Sequence, residues 1–116
     1  MTLLVCRTCP RYDRRVTGEF GRALRAALER EPGATDVQVR GVACLGGCPE
    51  DGVVAVDGPG KARVRFTRVT EADAEAVVRA AIAHGASATG VPAEWAVPSE
   101  LAGRIGTVTA ARGPVA

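Results

Sequence analysis

The sequence predicts an α/β domain on a mixed sheet, in the order β-α-β-β-β-α, followed by a C-terminal extension. Three observations predict it. Short Val- and Leu-rich runs alternate with two stripes of helical period. A Gly-Pro-Gly turn separates two runs of apolar residues. After Gly85 the composition shifts to Gly, Ala, Pro, Ser and Thr. The 116 residues suit one domain, 1–85, and an extended or partly disordered tail, 86–116.

Thr2 to Cys6 reads as a strand buried on both faces, because every residue from Leu3 onward is apolar. An Arg-rich loop carrying Pro10 follows. Over 17–30, Phe20, Ala23, Leu24, Ala27 and Leu28 form the stripe of an amphipathic helix, stopped by Glu31-Pro32-Gly33. Val37 and Val39 alternate with Gln38 and Arg40 in a second strand that runs on through Val42 towards Cys44. Residues 53–56 form a third strand. Across the 57–60 turn, Ala62, Val64 and Phe66 alternate with Arg63, Arg65 and Thr67, giving a hairpin with one solvated, arginine-bearing face. Thr70 with Glu71 and Asp73 begins the second helix, whose stripe is Ala74, Val77, Val78, Ala81 and Ile82. Residues 98–101 start a short helix within the tail, whose one conspicuous anchor is Trp95.

Fifteen Lys and Arg against thirteen Asp and Glu give a net charge of +2. With four aromatics and no series of them among basic residues, this excludes a nucleic-acid platform. No apolar run approaches the roughly 20 residues that span a bilayer. The opening residues 1–5 are too short and lack a basic flank for a secretion signal, which predicts a cytoplasmic protein. In that compartment cysteines serve as ligands or redox groups rather than as structural disulfides.

All four cysteines fall in pairs: Cys6-Arg7-Thr8-Cys9 after the first strand and Cys44-Leu45-Gly46-Gly47-Cys48 after the second. A right-handed crossover through the first helix makes these two strands parallel neighbours. Both pairs then leave the same edge of the sheet, where four thiolates can converge. A soft four-sulfur site selects an iron–sulfur cluster or zinc. Gly46 and Gly47 allow close backbone approach to inorganic sulfide.

The strand–Cys-x-x-Cys–helix order, the Gly-Val-Ala-Cys-Leu-Gly-Gly-Cys-Pro segment and the Val-rich hairpin resemble the thioredoxin-like [2Fe-2S] ferredoxins. Within them the chain is most similar to a branch of small bacterial proteins, predicted to bind metal, that share the short first pair and the Gly58-Pro59-Gly60-Lys61 turn. The resemblance covers about residues 1 to 85. It implies a thioredoxin-like fold and one [2Fe-2S] cluster held by Cys6, Cys9, Cys44 and Cys48. It also implies electron transfer or a cluster-dependent accessory role, and a homodimer. The first pair is spaced more narrowly than in better-known members, so a structural zinc site built from all four cysteines is the second expectation. A dithiol oxidoreductase using Cys6 and Cys9 is the third, and it leaves Cys44 and Cys48 without a task.

The residues do not suggest an enzyme. Glu50, Asp51 and Asp57 read as turn and surface residues with no nucleophile beside them, and Gly60-Lys61 lacks the neighbours of a phosphate loop. Arg7, Arg11, Arg14 and Arg15 beside the first pair would offset a cluster's charge or dock an acidic redox partner. His84 reads as a helix-end cap or surface residue. Trp95 reads as packing back on its own domain.

Overall fold

The computed structural model describes residues 2–7, 18–42 and 52–110. Its elements are β1 (Thr2–Cys6), α1 (Glu19–Glu29), β2 (Gln38–Val42), β3 (Val54–Asp57), β4 (Arg63–Phe66), α2 (Ala74–Ala86), α3 (Ser99–Ala102) and β5 (Ile105–Thr109). Single 3-10 turns at Pro32–Asp36, Glu71–Asp73 and Pro92–Glu94 join them.

The sheet runs β2-β1-β3-β4-β5. The β1–β2 pair is parallel, as the crossover through α1 requires, and the remaining neighbours are antiparallel. This mixed α+β architecture carries the expected β-α-β-β-β-α order and is compatible with a thioredoxin-like arrangement.

Alternation along the strands sorts the core into two faces. Leu3, Val5, Val54, Val56, Val64 and Phe66 pack with Leu24 and Leu28 of α1 and with Val77, Ala80 and Ala81 of α2. On the opposite face Leu4, Cys6, Val53 and Ala55 form a smaller cluster, joined by Phe20 and Val42. The interior strand β1, between β2 and β3, is therefore buried on both sides, which explains its unbroken apolar sequence.

Each end of α2 is held by a specific contact. At its entry the Thr70 N–H donates to Asp73 Oδ2 at 2.9 Å, satisfying one of the donors that a helix start leaves over. At its exit the Lys61 ammonium donates to the carbonyls of His84, at 3.2 Å, and of Gly85. The lysine of the Gly-Pro-Gly-Lys turn thus caps a helix C-terminus, where a positive charge is favourable.

The chain beyond Gly85 differs from the expected extended tail. Leu101 of α3 is fully buried in the main core, and Trp95, Val97 and Ile105 pack against that core. β5 then adds a fifth strand beside β4. Arg104 fixes this return by donating to both carboxylate oxygens of Asp73, at 2.8 and 2.9 Å, and to the Arg68 carbonyl at 2.9 Å. The physical reason is the β4 edge: the hairpin leaves it unpaired, and 105–109 supplies the missing strand. The short helix expected from 98–101 is present as α3.

On the outer face of the hairpin, Asp57 accepts from Arg63 at 3.0 and 2.7 Å. Arg65 reaches across to the hydroxyls of Thr107, at 3.3 Å, and Thr109, at 2.7 Å. Among the described residues no helix is long and apolar enough to cross a membrane.

Candidate metal centre

Of the four cysteines, Cys6 lies among the described residues, while Cys9, Cys44 and Cys48 lie outside them. Cys6 ends β1 with 1% of its surface exposed. In the parallel register it stands beside Val42, the last residue of β2. On its other side its N–H donates to the Val53 carbonyl at 3.2 Å, and the next N–H, of Arg7, donates to the Val42 carbonyl at 2.8 Å. Val42 precedes the segment that carries Cys44 and Cys48, and Val53 follows it. Cys6 is thus flanked by both roots of that segment. Neighbouring strands lie about 4.8 Å apart. Two further peptides, the distance in sequence from Val42 to Cys44, span at most about 7.6 Å.

The second root is fixed by a glycine. Gly52 has φ +72°, and a Cβ there would lie 2.3 Å from the Val69 carbonyl oxygen, while its own carbonyl accepts from the Val69 N–H at 3.0 Å. Two more glycines bring α1 against the end of β1. A Cβ at Gly21 would stand 3.0 Å from the Cys6 carbonyl oxygen, and one at Gly18, where φ is +81°, 2.8 Å from that of Arg7. The positive end of α1 consequently abuts the Cys6–Arg7 peptide, a placement that favours negative charge nearby. Gly46 and Gly47, the glycines that the cysteine motif singles out for close backbone approach to sulfide, lie outside the described residues. The signal available for Gly18 and Gly21 was a helix start without the usual Ser, Thr, Asp or Asn cap.

Arginines border this end of the sheet. Arg7 lays its side chain over Gly41 of β2, where a Cβ would lie 2.7 Å from Arg7 Cδ and 3.5 Å from Arg25 Nη1. Arg40 stands next in the strand, opposite Leu4. Arg11, Arg14 and Arg15 lie outside the described residues.

His84 corrects an expectation: it is fully buried instead of at the surface. Its Nε2 donates to the Ala62 carbonyl at 2.7 Å. Burial, reinforced by the Lys61 charge, holds its pKa below 6.5 against the opposing pull of the Ala62 bond. Ala62 adjoins the 58–61 turn, beside the Thr2 end of β1, so His84 and Cys6 belong to opposite ends of the sheet. Asp57 is a turn residue, as expected: its Oδ1 accepts from the Gly58 N–H at 2.9 Å. No group of three or more His, Cys, Asp or Glu side chains assembles among the described residues.

A family model described as "Protein of unknown function (DUF1636)" matches residues 3–111, a span from β1 through β5. No curated protein and no solved structure matches the chain.

Proposed function

We propose, from the premise that this chain belongs to the DUF1636 family, that it is a small iron–sulfur protein. In this reading Cys6, Cys9, Cys44 and Cys48 bind one [2Fe-2S] cluster, and the protein is a cytoplasmic electron carrier or cluster-dependent accessory protein rather than a catalyst. The observation that carries the reading is the position of Cys6 between Val42 and Val53, the two roots of the Cys44–Cys48 segment. The resemblance to thioredoxin-like [2Fe-2S] ferredoxins supports it, and the sheet order is compatible with it.

When bound, such a cluster supplies one-electron transfer. The chain's own residues have separate tasks. Leu4, Val53, Ala55 and Phe20 surround Cys6 with apolar surface and exclude water from it. The start of α1 and the guanidinium of Arg7 offset negative charge carried by thiolates. The Gly52–Val69 clasp holds one root of the ligand segment in place.

A structural zinc site with four cysteine ligands is the second reading, favoured by the Cys6-x-x-Cys9 spacing. One experiment separates the two: a visible spectrum of anaerobically purified protein before and after dithionite, with iron, sulfide and zinc assayed on the same sample. Visible bands that bleach on reduction, with about two irons per chain, are expected. A colourless protein holding about one zinc per chain would overturn the cluster reading and establish the second.

A further inference from the structure

We propose that edge strand β2, which borders the end of β1 that carries Cys6, docks an acidic protein partner through Arg7, Arg25 and Arg40. This rests on the reading of Cys6 as part of a metal centre and names the partner surface of that centre.

The first observation is a convergence of like charges. Gly41 has no side chain, and the Arg7 stem and Arg25 Nη1 both come within contact of the place where one would be. Both arginines are exposed, and among the described residues neither is ion-paired. By contrast, Arg63, Arg79 and Arg104 each hold a carboxylate. Two guanidinium side chains drawn over one strand residue repel each other. Although Glu29 and Glu31 border the same groove as Arg25, neither forms an ion pair with it, so an acidic partner would relieve that repulsion.

The second observation is the alternation of β2. Arg40 precedes Gly41 and faces the other side of the sheet, beside Leu4, where it lines an open groove of about 660 Å³ that runs from Val42 to the Thr2 end of the sheet, where Asp57 is held by Arg63. It too is exposed and has no ion-pair partner among the described residues. The three cations therefore straddle a strand at the sheet's edge. A small anion cannot reach both sides of a strand, whereas a carboxylate-bearing protein surface can. Nucleic acid is disfavoured by the net charge of +2 and by the shortage of aromatics.

The test is calorimetric titration of the full chain with a short polyglutamate peptide at low and high salt, for the parent, Arg40→Glu, Arg7→Gln with Arg25→Gln, and Arg68→Glu. Arg68 is exposed and remote in sequence from β2, so it matches the change in net charge of Arg40→Glu. Circular dichroism checks folding, and iron and zinc are assayed on each sample. Binding that salt weakens, about ten-fold weaker in Arg40→Glu and in the double variant but nearly unchanged in Arg68→Glu, is expected. Equal weakening in Arg40→Glu and Arg68→Glu, or tighter binding of a single-stranded oligonucleotide than of the peptide, would overturn the proposal. Arg40-dependent binding by a protein that holds neither iron nor zinc would sustain the docking surface and overturn the metal reading instead.

Discussion

The indole of Trp95 stands edge-on to the imidazole of His84, with ring centroids 5.7 Å apart and planes at 86°. Each ring is fixed by a further bond. Trp95 Nε1 donates to the Gly90 carbonyl at 2.8 Å, and His84 Nε2 donates to Ala62. Because a carbonyl only accepts, the imidazole proton sits on Nε2, and His84 Nδ1 is a buried acceptor without a partner among the described residues. Gly90, at φ +72°, makes room: a Cβ there would lie 2.6 Å from His84 Nε2.

A pH dependence follows. With the native His84 pKa below 6.5, the unfolded chain takes up its proton first as pH falls. The contribution is fully present above 6.5 and is lost as pH drops from there towards the native value. The urea midpoint should be lower at about pH 5.5 than at about pH 7.5, and the slope should flatten in His84→Gln. Equal midpoints for the parent would remove His84 as the titrating group.

The Arg104 contact links the C-terminal return to the start of α2. Its side-chain hydrogen bond is the main reason the Asp73 carboxyl titrates below 3.8. The stabilisation is therefore present above 3.8 and is lost as pH falls through the native Asp73 value. Arg104→Met should cost about 1.5–3 kcal/mol at neutral pH. Acid unfolding followed by circular dichroism should then begin at a higher pH than in the parent. An unchanged acid limb would show that the pair does not stabilise the fold.

Leu101 tests whether residues beyond 85 belong to the domain. Truncating this fully buried side chain to alanine should cost about 2–5 kcal/mol, the range for large-to-small changes in a packed core. A loss near zero in chemical denaturation would mean that α3 does not share the core.

Two glycines with nearly the same φ separate backbone strain from crowding. Gly60, at +71°, has nothing within 4 Å of a built Cβ, whereas Gly52, at +72°, has the Val69 carbonyl at 2.3 Å. Gly60→Ala should cost about 1 kcal/mol. Gly52→Ala should cost more, because a backbone atom has to move. Thermal melts of the two variants give the comparison, and equal losses would count against crowding at Gly52.

In the proposed metal centre, Cys44→Ser would remove one of the four cysteine ligands. Metal content, assayed with the visible spectrum, should fall to a small fraction of the parent's. Full retention would exclude Cys44 as a ligand.

Most of the scaffold was legible because its signals are local. The α1 stripe, the β3–β4 hairpin and the two-sided burial of β1 each follow from periodicity. β5 was not legible for a specific reason: its pairing shifts register between Val64 and Phe66. Ile105 and Val108, the residues opposite Phe66 and Val64, therefore stand three apart, which breaks the alternation that marks a strand. The burial of His84 was equally hidden, since it depends on Gly90 and Trp95 folding back from later in the chain. At the candidate centre, the pairing of the two strand ends could be read from the crossover rule. The glycine contacts around Cys6 and Val69 are tertiary and leave only an unusual helix start as a trace.

Arg65 has a consequence for solubility. β5 forms one margin of the sheet, and its sequence, Ile-Gly-Thr-Val-Thr, contains neither the charge nor the proline that commonly deters a foreign strand from adding on. Its neighbour supplies the deterrent. By reaching over β5 to Thr107 and Thr109, Arg65 sets a cation across the outermost strand, so protection against edge-to-edge aggregation is lent to β5 by β4.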